Sequence, residues 1–429
     1  METLYFANLS GDQTAVHIGE LNTLNNQLRG TVIRPDDETY DEARLLWNGM
    51  FDKHPTAIAQ CAGVADVMDA VRFARDRNLL VAIRGGAHNV AGLASYDDGF
   101  VIDLSQMRAV HVNPETRIAR VESGAQLGDI DRETQKFGLV VPTGVVSETG
   151  IAGLTLNGGL GWLRRKWGMT CDNLTAVELV TAKGQWLRAS NTQNQELFWA
   201  LRGGGGNFGV VTAFEFDLHP LGPEVMFCFV MYPDQKDILQ TFRKHAESEP
   251  DEVGMLSFTG RVPADEAFPR DRWHQPFFAV AACYAGSAAE GEQVLQPLRE
   301  FETPIVDFSD RMLFSEVQKF LDEEYPKRRN YYWKSLYLKE LSDEAIDTLL
   351  RLNKKAPSHH STIDIWTMGG AMNRVGAEES PLAPREAPFM IGIEANWDND
   401  EDNDLNINWV PECIDALAPF AAPGIYLNF

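Results

Sequence analysis

From residue 56 onward, amphipathic and apolar segments follow one another along the chain. Val64, Val67, Met68 and Val71 recur at helical spacing, so 62–78 (AGVADVMDAVRFARDRN) is predicted as a helix with one apolar face. The run LLVAI (79–83) predicts a buried strand, and FVIDLS (100–105) a second. AVHVN and RIARVES flank Pro114, Glu115 and Thr116, the pattern of a hairpin. Leu127, Ile130 and Phe137 place another helix before a short strand, LVVP. NLTAVELVTAKGQWLRAS gives two strands about a turn at Lys183 and Gly184. A short helix, ELFWALR, and a strand, VVTAFEFDL, complete this half. Helices and hairpins mixed in this way predict an α+β fold, not a regular βαβ alternation.

Beyond Pro220 the strand candidates become rich in aromatics: 225–232, 277–284, 331–338, 361–368 and 389–397, with helical stretches between them. An antiparallel sheet with helices packed on one face is expected. The acidic run WDNDEDND (397–404) reads as a solvated loop before a helix over 405–417. The chain thus divides into a polar N-terminal leader (1–20), a first domain (21–219), a second (220–420) and a short return segment (421–429).

A length of 429 residues suits two or three domains. Acidic residues number 62 against 38 basic, a net charge of −24, which disfavours nucleic acid and anionic membrane surfaces as partners. No run of about twenty apolar residues offers a membrane span. The five cysteines are dispersed without a C-x-x-C pair, which points to reduced thiols and a cytoplasmic setting. Walker A, H-E-x-x-H and G-x-S-x-G motifs are missing. A G-x-G-x-x-G match at Gly204, Gly206 and Gly209 has a helix before it and a strand after it, the reverse of a nicotinamide-binding Rossmann turn.

Three segments carry the chemistry. Arg84, Gly85, Gly86, Ala87, His88 and Asn89 follow a buried strand, and adjacent glycines can turn backbone N–H groups into one concavity. Taken alone, this segment reads first as a tight turn with an incidental histidine. The second, 142–168, holds seven glycines in 27 positions, a density that implies close approach of something flat or bulky. The third is LFWALRGGGGNFGVVT (197–212).

In this order and spacing the three segments resemble the FAD-linked oxidases with a PCMH-type flavin domain, of the vanillyl-alcohol oxidase superfamily. Within it they are similar to the bacterial members of the berberine-bridge-enzyme-like branch. The likeness is strong over 56–219 and continues more weakly through YWKSLYL, MGGAMNRV, the APREAPF segment and the terminal GIYLNF. It implies a flavin domain built of two subdomains, and a substrate domain. It also implies FAD bonded through the 8α-methyl to His88, with Arg84, Gly85, Gly86, Ala87 and Asn89 around the pyrophosphate. Gly144, Val145, Gly150, Gly153, Leu154, Gly158 and Gly159 are implied along the ribityl chain and ring, with the backbone of Val210 at the adenine. Many relatives add a cysteinyl bond; Val146 stands at that position here and cannot form one, and Cys171 is no substitute.

The terminal Tyr426, Leu427 and Asn428 resemble a Y-x-N motif whose tyrosine removes a substrate proton, with Asn428 orienting the segment; an interfacial aromatic is the other reading of Tyr426. A phenol needs a cationic neighbour to act as a base at neutral pH; Lys334 and Arg385 are the candidates, though each reads first as a surface or structural charge, and Glu394 or Asp364 are the alternative bases. Relatives of this kind continue past this motif with a segment that closes over the flavin, so that segment is expected to be missing after Phe429. Tyr331, Trp333, Tyr337 and Trp366 are candidates for an aromatic-lined pocket, with the core as the commoner place for strand aromatics. The implied activity is oxidation of an alcohol, hemiacetal or amine, with oxygen as the second substrate. A dehydrogenase using another acceptor and a flavin-carrying binding protein stay open beside it.

Overall fold

The computed structural model describes residues 3–382 and 385–429, so Ala383 and Pro384 of the APREAPF segment lie outside it. Three main sheets organise the chain. The first orders Thr31–Ile33, Ala57–Gln60, Phe100–Asp103 and Val81–Arg84, with the last two pairings parallel. The helix Val64–Asp76 makes the crossover within it, burying Val67, Ala70, Val71 and Phe73. A small βαβ unit therefore sits inside the α+β fold. The second sheet is antiparallel, in the order Trp186–Ser190, Leu174–Val180, Val210–Asp217, Ile118–Glu122, Val110–Asn113.

The third sheet is the large antiparallel one expected after residue 220. All five expected strands are present, together with the short edge strands Val306–Asp307, Asp310–Leu313 and Ala421–Ala422 and one long strand the pattern did not show: Val253–Arg261, at the centre between Pro276–Tyr284 and Thr362–Thr367. Its alternation is blurred because Gly254, Ser257, Thr259 and Gly260 interrupt the apolar run. Gly254 is needed where the backbone carbonyl of Trp162 presses against the strand.

Alternation along Phe389–Trp397 shows how this sheet serves two layers. Phe389, Ile391, Ile393, Ala395 and Trp397 enter the core shared with the helices Lys236–Ala246, Asp343–Asn353 and Asn403–Leu417. Met390 and Glu394 lie on the opposite face, toward the N-terminal unit. Two segments depart from expectation. Trp397 is buried at the end of its strand and the next helix begins at Asn403, so the solvated acidic loop is shorter than the run. The polar N-terminal stretch is packed on the first unit: Thr3–Ala7 pairs with Gln13–His17, and Phe6, Val16, Leu21 and Leu24 join the core under the first sheet. Alternation with exposed polar residues hid that apolar face.

Among the described residues no helix is long and apolar enough to cross a membrane, and no cluster of side chains could hold a metal ion. All five cysteines are buried and unpaired.

Candidate active site

A cavity of about 500 Å³ lies between the N-terminal unit and the large sheet, and all three glycine-rich segments reach it. Gly85, Gly86, Ala87, His88 and Asn89 line it. Gly86 and Gly150 meet backbone to backbone: a Cβ on Gly86 would lie 2.5 Å from the Gly150 Cα, so neither position accepts a side chain. Ala87 holds φ +55° in the turn before His88. The His88 ring stacks on Trp47 at 3.9 Å, and Trp47 on Tyr331 at 3.8 Å. Its Nε2 is enclosed without a hydrogen-bond partner, and burial pushes its pKa down to about 3. The imidazole is therefore neutral, with one ring nitrogen unengaged. Arg84 is a correction. It is not among the residues lining the cavity: its guanidinium is drawn to the Ala43 carbonyl and stands 4.0 Å from Asp103.

From the second segment, Gly144, Val145, Val146, Gly150, Gly153 and Leu154 line the cavity. A Cβ on Gly153 would meet no protein atom within 4 Å, so this side of the helix Ile151–Leu156 is open to a ligand. Gly158 and Gly159 do something else. A Cβ on Gly158 would sit 3.3 Å from the Tyr426 ring, and the Gly159 N–H donates to the Tyr426 hydroxyl, so these glycines seat a side chain instead of lining the cavity. In the third segment Gly206, Asn207, Gly209 and Val211 face the cavity. Val210 packs into the core against the first sheet, on the opposite side of its strand. Cys171 is buried away from the cavity, and burial holds its thiol far above the ordinary range.

Tyr426 lies at the cavity with its oxygen fully surrounded. The N–H groups of Gly159 and Leu160 reach it at 3.0 Å each, and Asn428 Nδ2 at 2.9 Å. Asn428 also donates to the Leu154 carbonyl, tying residues 426–428 to the glycine-rich segment. Burial pushes the phenol upward, partly offset by those donors. Lys334 and Arg385 are the structural and surface charges they first read as, and neither reaches it. Arg385 forms a buried pair with Asp172 at 2.6 and 2.9 Å, and Lys334 lies exposed on the other face of its strand, over Tyr332.

The sheet wall supplies the remaining chemistry. Asp364 and Glu394 are diagonal neighbours on adjacent strands, where Thr362 pairs with Glu394 and Asp364 with Gly392. Both are buried, at 3% and 2% exposure, and both line the cavity. Tyr325 Oη donates to Glu394 at 2.8 Å, and Thr362 Oγ1 to Asp364 at 2.9 Å. Burial raises both carboxyls, and their proximity raises Glu394 further. The two titrate as a coupled unit, with Glu394 the more strongly biased toward its protonated form. Trp333, Trp366 and Phe429 complete the wall, whereas Tyr331 stands behind Trp47 and Tyr337 lies away from the cavity. A Cβ on Gly392 would lie 2.7 Å from the Phe429 ring, so that glycine makes room for it.

Sequence reasoning missed Trp47, Tyr325 and Phe429 as members of this site. Trp47 sits in a short turn-rich stretch, LLWNGM, and Tyr325 in a charged one, DEEYPKRR, so neither belongs to a periodic element.

The sequence profile of the FAD binding domain family matches residues 55–190. An FAD-linked oxidoreductase of Dictyostelium discoideum is 31% identical over 413 residues, 95% of this chain and 88% of its own length. (R)-6-hydroxynicotine oxidase of Paenarthrobacter nicotinovorans is 40% identical over 205 residues, 48% of this chain and 45% of that enzyme. The crystal structure of 6-hydroxy-D-nicotine oxidase from Arthrobacter nicotinovorans superposes with a TM-score of 0.82 at 28% identity, covering 94% of this chain and 89% of that one. A berberine bridge enzyme variant with reticuline dehydrogenase activity superposes with a TM-score of 0.82 at 22% identity, over 96% of this chain and 87% of its own, a likeness of fold alone.

Proposed function

This chain belongs to the FAD-linked oxidoreductases and has the berberine-bridge-enzyme-like fold, and from that premise we propose that it is an oxidase. Its substrate is a small alcohol, hemiacetal or amine, and its FAD is bonded to His88 alone. The residues present fit the cofactor. His88 offers an enclosed, unengaged ring nitrogen on a neutral imidazole, Gly153 leaves its helix face open, and Val146 supplies no thiol. FAD, when bound, accepts hydride from the substrate carbon and returns the electrons to oxygen.

The observation that carries the reading is the buried carboxyl pair, Asp364 and Glu394, in the same cavity as His88. An alcohol or amine releases hydride readily only after its own proton leaves, and the pair takes that proton through whichever oxygen is unprotonated. Tyr325 and Thr362 hold the two carboxyls in place by donating to them. Tyr426 positions the wall of the cavity; its oxygen, filled by three N–H donors, has no room to receive a further proton donor. The apolar rings of Trp333, Trp366 and Phe429 keep water from the reacting carbon.

Acid precipitation should leave yellow flavin with the polypeptide, and peptide mass spectrometry should place one FAD on His88. Hydrogen peroxide should appear in step with substrate loss. A flavin that washes out of the wild-type protein defeats the tether. Slow reoxidation by oxygen beside fast reoxidation by an artificial acceptor would make the enzyme a dehydrogenase.

A further inference from the structure

We infer that Trp47 presents His88 to the flavin, as a positioning residue that touches neither cofactor nor substrate. The inference goes beyond the histidyl bond proposed above and rests on it.

Trp47 is buried, at 3% exposure, yet it joins none of the apolar cores and does not line the cavity. Its neighbours are rings. His88 stacks on it at 3.9 Å and 19°, and Tyr331 at 3.8 Å and 10°. Two near-parallel rings this close to a third have room only on its opposite faces, so the indole is sandwiched between them. Trp333 meets it edge-on at 5.6 Å.

The main chain fixes the indole relative to the turn that carries His88. The Trp47 N–H donates to the Ala87 carbonyl at 3.1 Å, and Asn48 Nδ2 to the Val90 carbonyl at 2.7 Å. The turn is thus tied on both sides of His88. From the other half of the molecule, the Arg328 N–H donates to the Trp47 carbonyl at 2.8 Å, and the indole N–H donates to the Tyr325 carbonyl at 3.2 Å. Asn48 Nδ2 donates to the Tyr331 carbonyl at 2.8 Å, and its Oδ1 accepts from the Tyr331 N–H at 3.1 Å. A Cβ on Gly49 would collide with the Arg328 carbonyl, so only glycine lets this segment lie so close. Both halves grip Trp47, and Trp47 holds the imidazole.

His88 has little else to hold it. Among the described residues its ring has one polar contact, with its own backbone, and Nε2 has none. A hydrogen bond to Nε2 would occupy the lone pair that must react. A stack fixes the plane of the ring and leaves that lone pair free. Bond formation needs reacting atoms about 3–3.5 Å apart and aligned, and a misplacement of about 1 Å costs on the order of a hundredfold in rate.

Atoms and electrons balance in the bond so formed. The Nε2 lone pair joins the 8α carbon, one C–H bond of that methyl group breaks with its electron pair passing into the flavin ring, and the imidazole releases its N–H proton. The two electrons and two protons leave the flavin reduced, and oxygen carries them off as hydrogen peroxide.

The test uses the full chain, made under riboflavin limitation and then loaded with excess FAD. Total bound flavin, and the share that stays with acid-precipitated polypeptide over time, are followed in wild type, Trp47→Leu and Trp47→Phe. Trp47→Leu keeps apolar bulk without the aromatic face. It should bind nearly as much FAD as wild type and bond it about ten- to a hundredfold more slowly. Trp47→Phe keeps a smaller face, and its rate should fall between the two. A merely structural role would lower bound and bonded flavin together and would show no such rescue. Bonding of Trp47→Leu at the wild-type rate overturns the inference and leaves the tether standing. So does a folded Trp47→Leu that binds no FAD, since the indole would then serve binding and not presentation. Should Trp47→Leu fail to fold, Trp47→Phe decides: slower bonding upholds the inference, and the wild-type rate overturns it. Wild-type flavin wholly released by acid defeats the tether, and this inference falls with it.

Discussion

Gly150 and Gly153 stand three residues apart and answer to different neighbours, which makes them a controlled pair. A methyl on Gly150 would come within 2.6 Å of the Gly86 nitrogen, so Gly150→Ala must push the two backbones apart and should destabilise the protein by about 1–3 kcal/mol. A methyl on Gly153 meets no protein atom, and alanine favours a helix over glycine by about 1 kcal/mol, so flavin-free Gly153→Ala should melt no lower than wild type. If that helix face meets the flavin, as proposed, Gly153→Ala should nevertheless carry less flavin per polypeptide. Full flavin occupancy in Gly153→Ala would place the ring elsewhere. Single residues stood out where the family resemblance carried them: His88, Gly86 and Gly153, named on that ground, all line the cavity. The surroundings of Tyr426 did not, because its partners are the backbone N–H groups of Gly159 and Leu160, 267 and 266 residues away in the chain. No side-chain pattern encodes those.

At the scale of elements, periodicity was a good guide wherever one face is apolar and the other polar. It failed at Val253–Arg261, whose buried serine, threonine and glycines break the alternation, and at the N-terminal hairpin, whose single buried side chain per strand, Phe6 or Val16, looks incidental. It also could not show which side of Thr362–Thr367 faces a cavity, so Asp364 and Glu394 entered only as alternative bases behind Tyr426. Another buried acid joins elements across the two halves. Asp131, in the helix Leu127–Thr134, accepts from Gln318 Nε2 at 3.2 Å, and the same amide donates to Thr143 at 2.8 Å. Burial pushes Asp131 up to about 7. Below about pH 4 it is protonated whether the chain is folded or not, and contributes no penalty. Between there and about 7 only the folded protein keeps the proton, so stability falls as pH rises; above 7 the full cost, on the order of a few kcal/mol, is present. Asp131→Asn keeps the acceptor and removes the charge. It should melt a few degrees above wild type at about pH 8 and level with it at about pH 4. A gain of equal size at both pH values would mean the effect is packing, not ionisation.

At the scale of the whole molecule, two domains by composition share one core. The apolar cluster that holds Val177 and Phe214 of the second sheet is continuous with Phe227, Ala279 and Met390 of the large sheet. The segment 161–165 is bolted across the boundary. Arg164 is fully buried and gives its N–H groups to Thr367 and Met255, while Gly254 and Gly370 leave room for the carbonyls of Trp162 and Arg165. The change of texture near Pro220 located the seam but said nothing of this, since a shared core looks the same in sequence as two separate ones. Each half, produced alone, would expose the face it now buries against the other and leave several buried carbonyls without donors, each at about 1–3 kcal/mol. Fragments 1–219 and 220–429 should therefore bind hydrophobic dyes and fail to melt cooperatively, and the intact, flavin-free chain should unfold in one transition. Arg164→Met tests the same seam within the whole chain. It removes the donors while roughly preserving bulk, so it should lower the melting temperature without splitting that transition. It should also slow flavin reduction, because Thr367 ends the strand that carries Asp364 and Trp366. Two resolved transitions in the wild-type chain would show instead that the halves fold independently and only then dock.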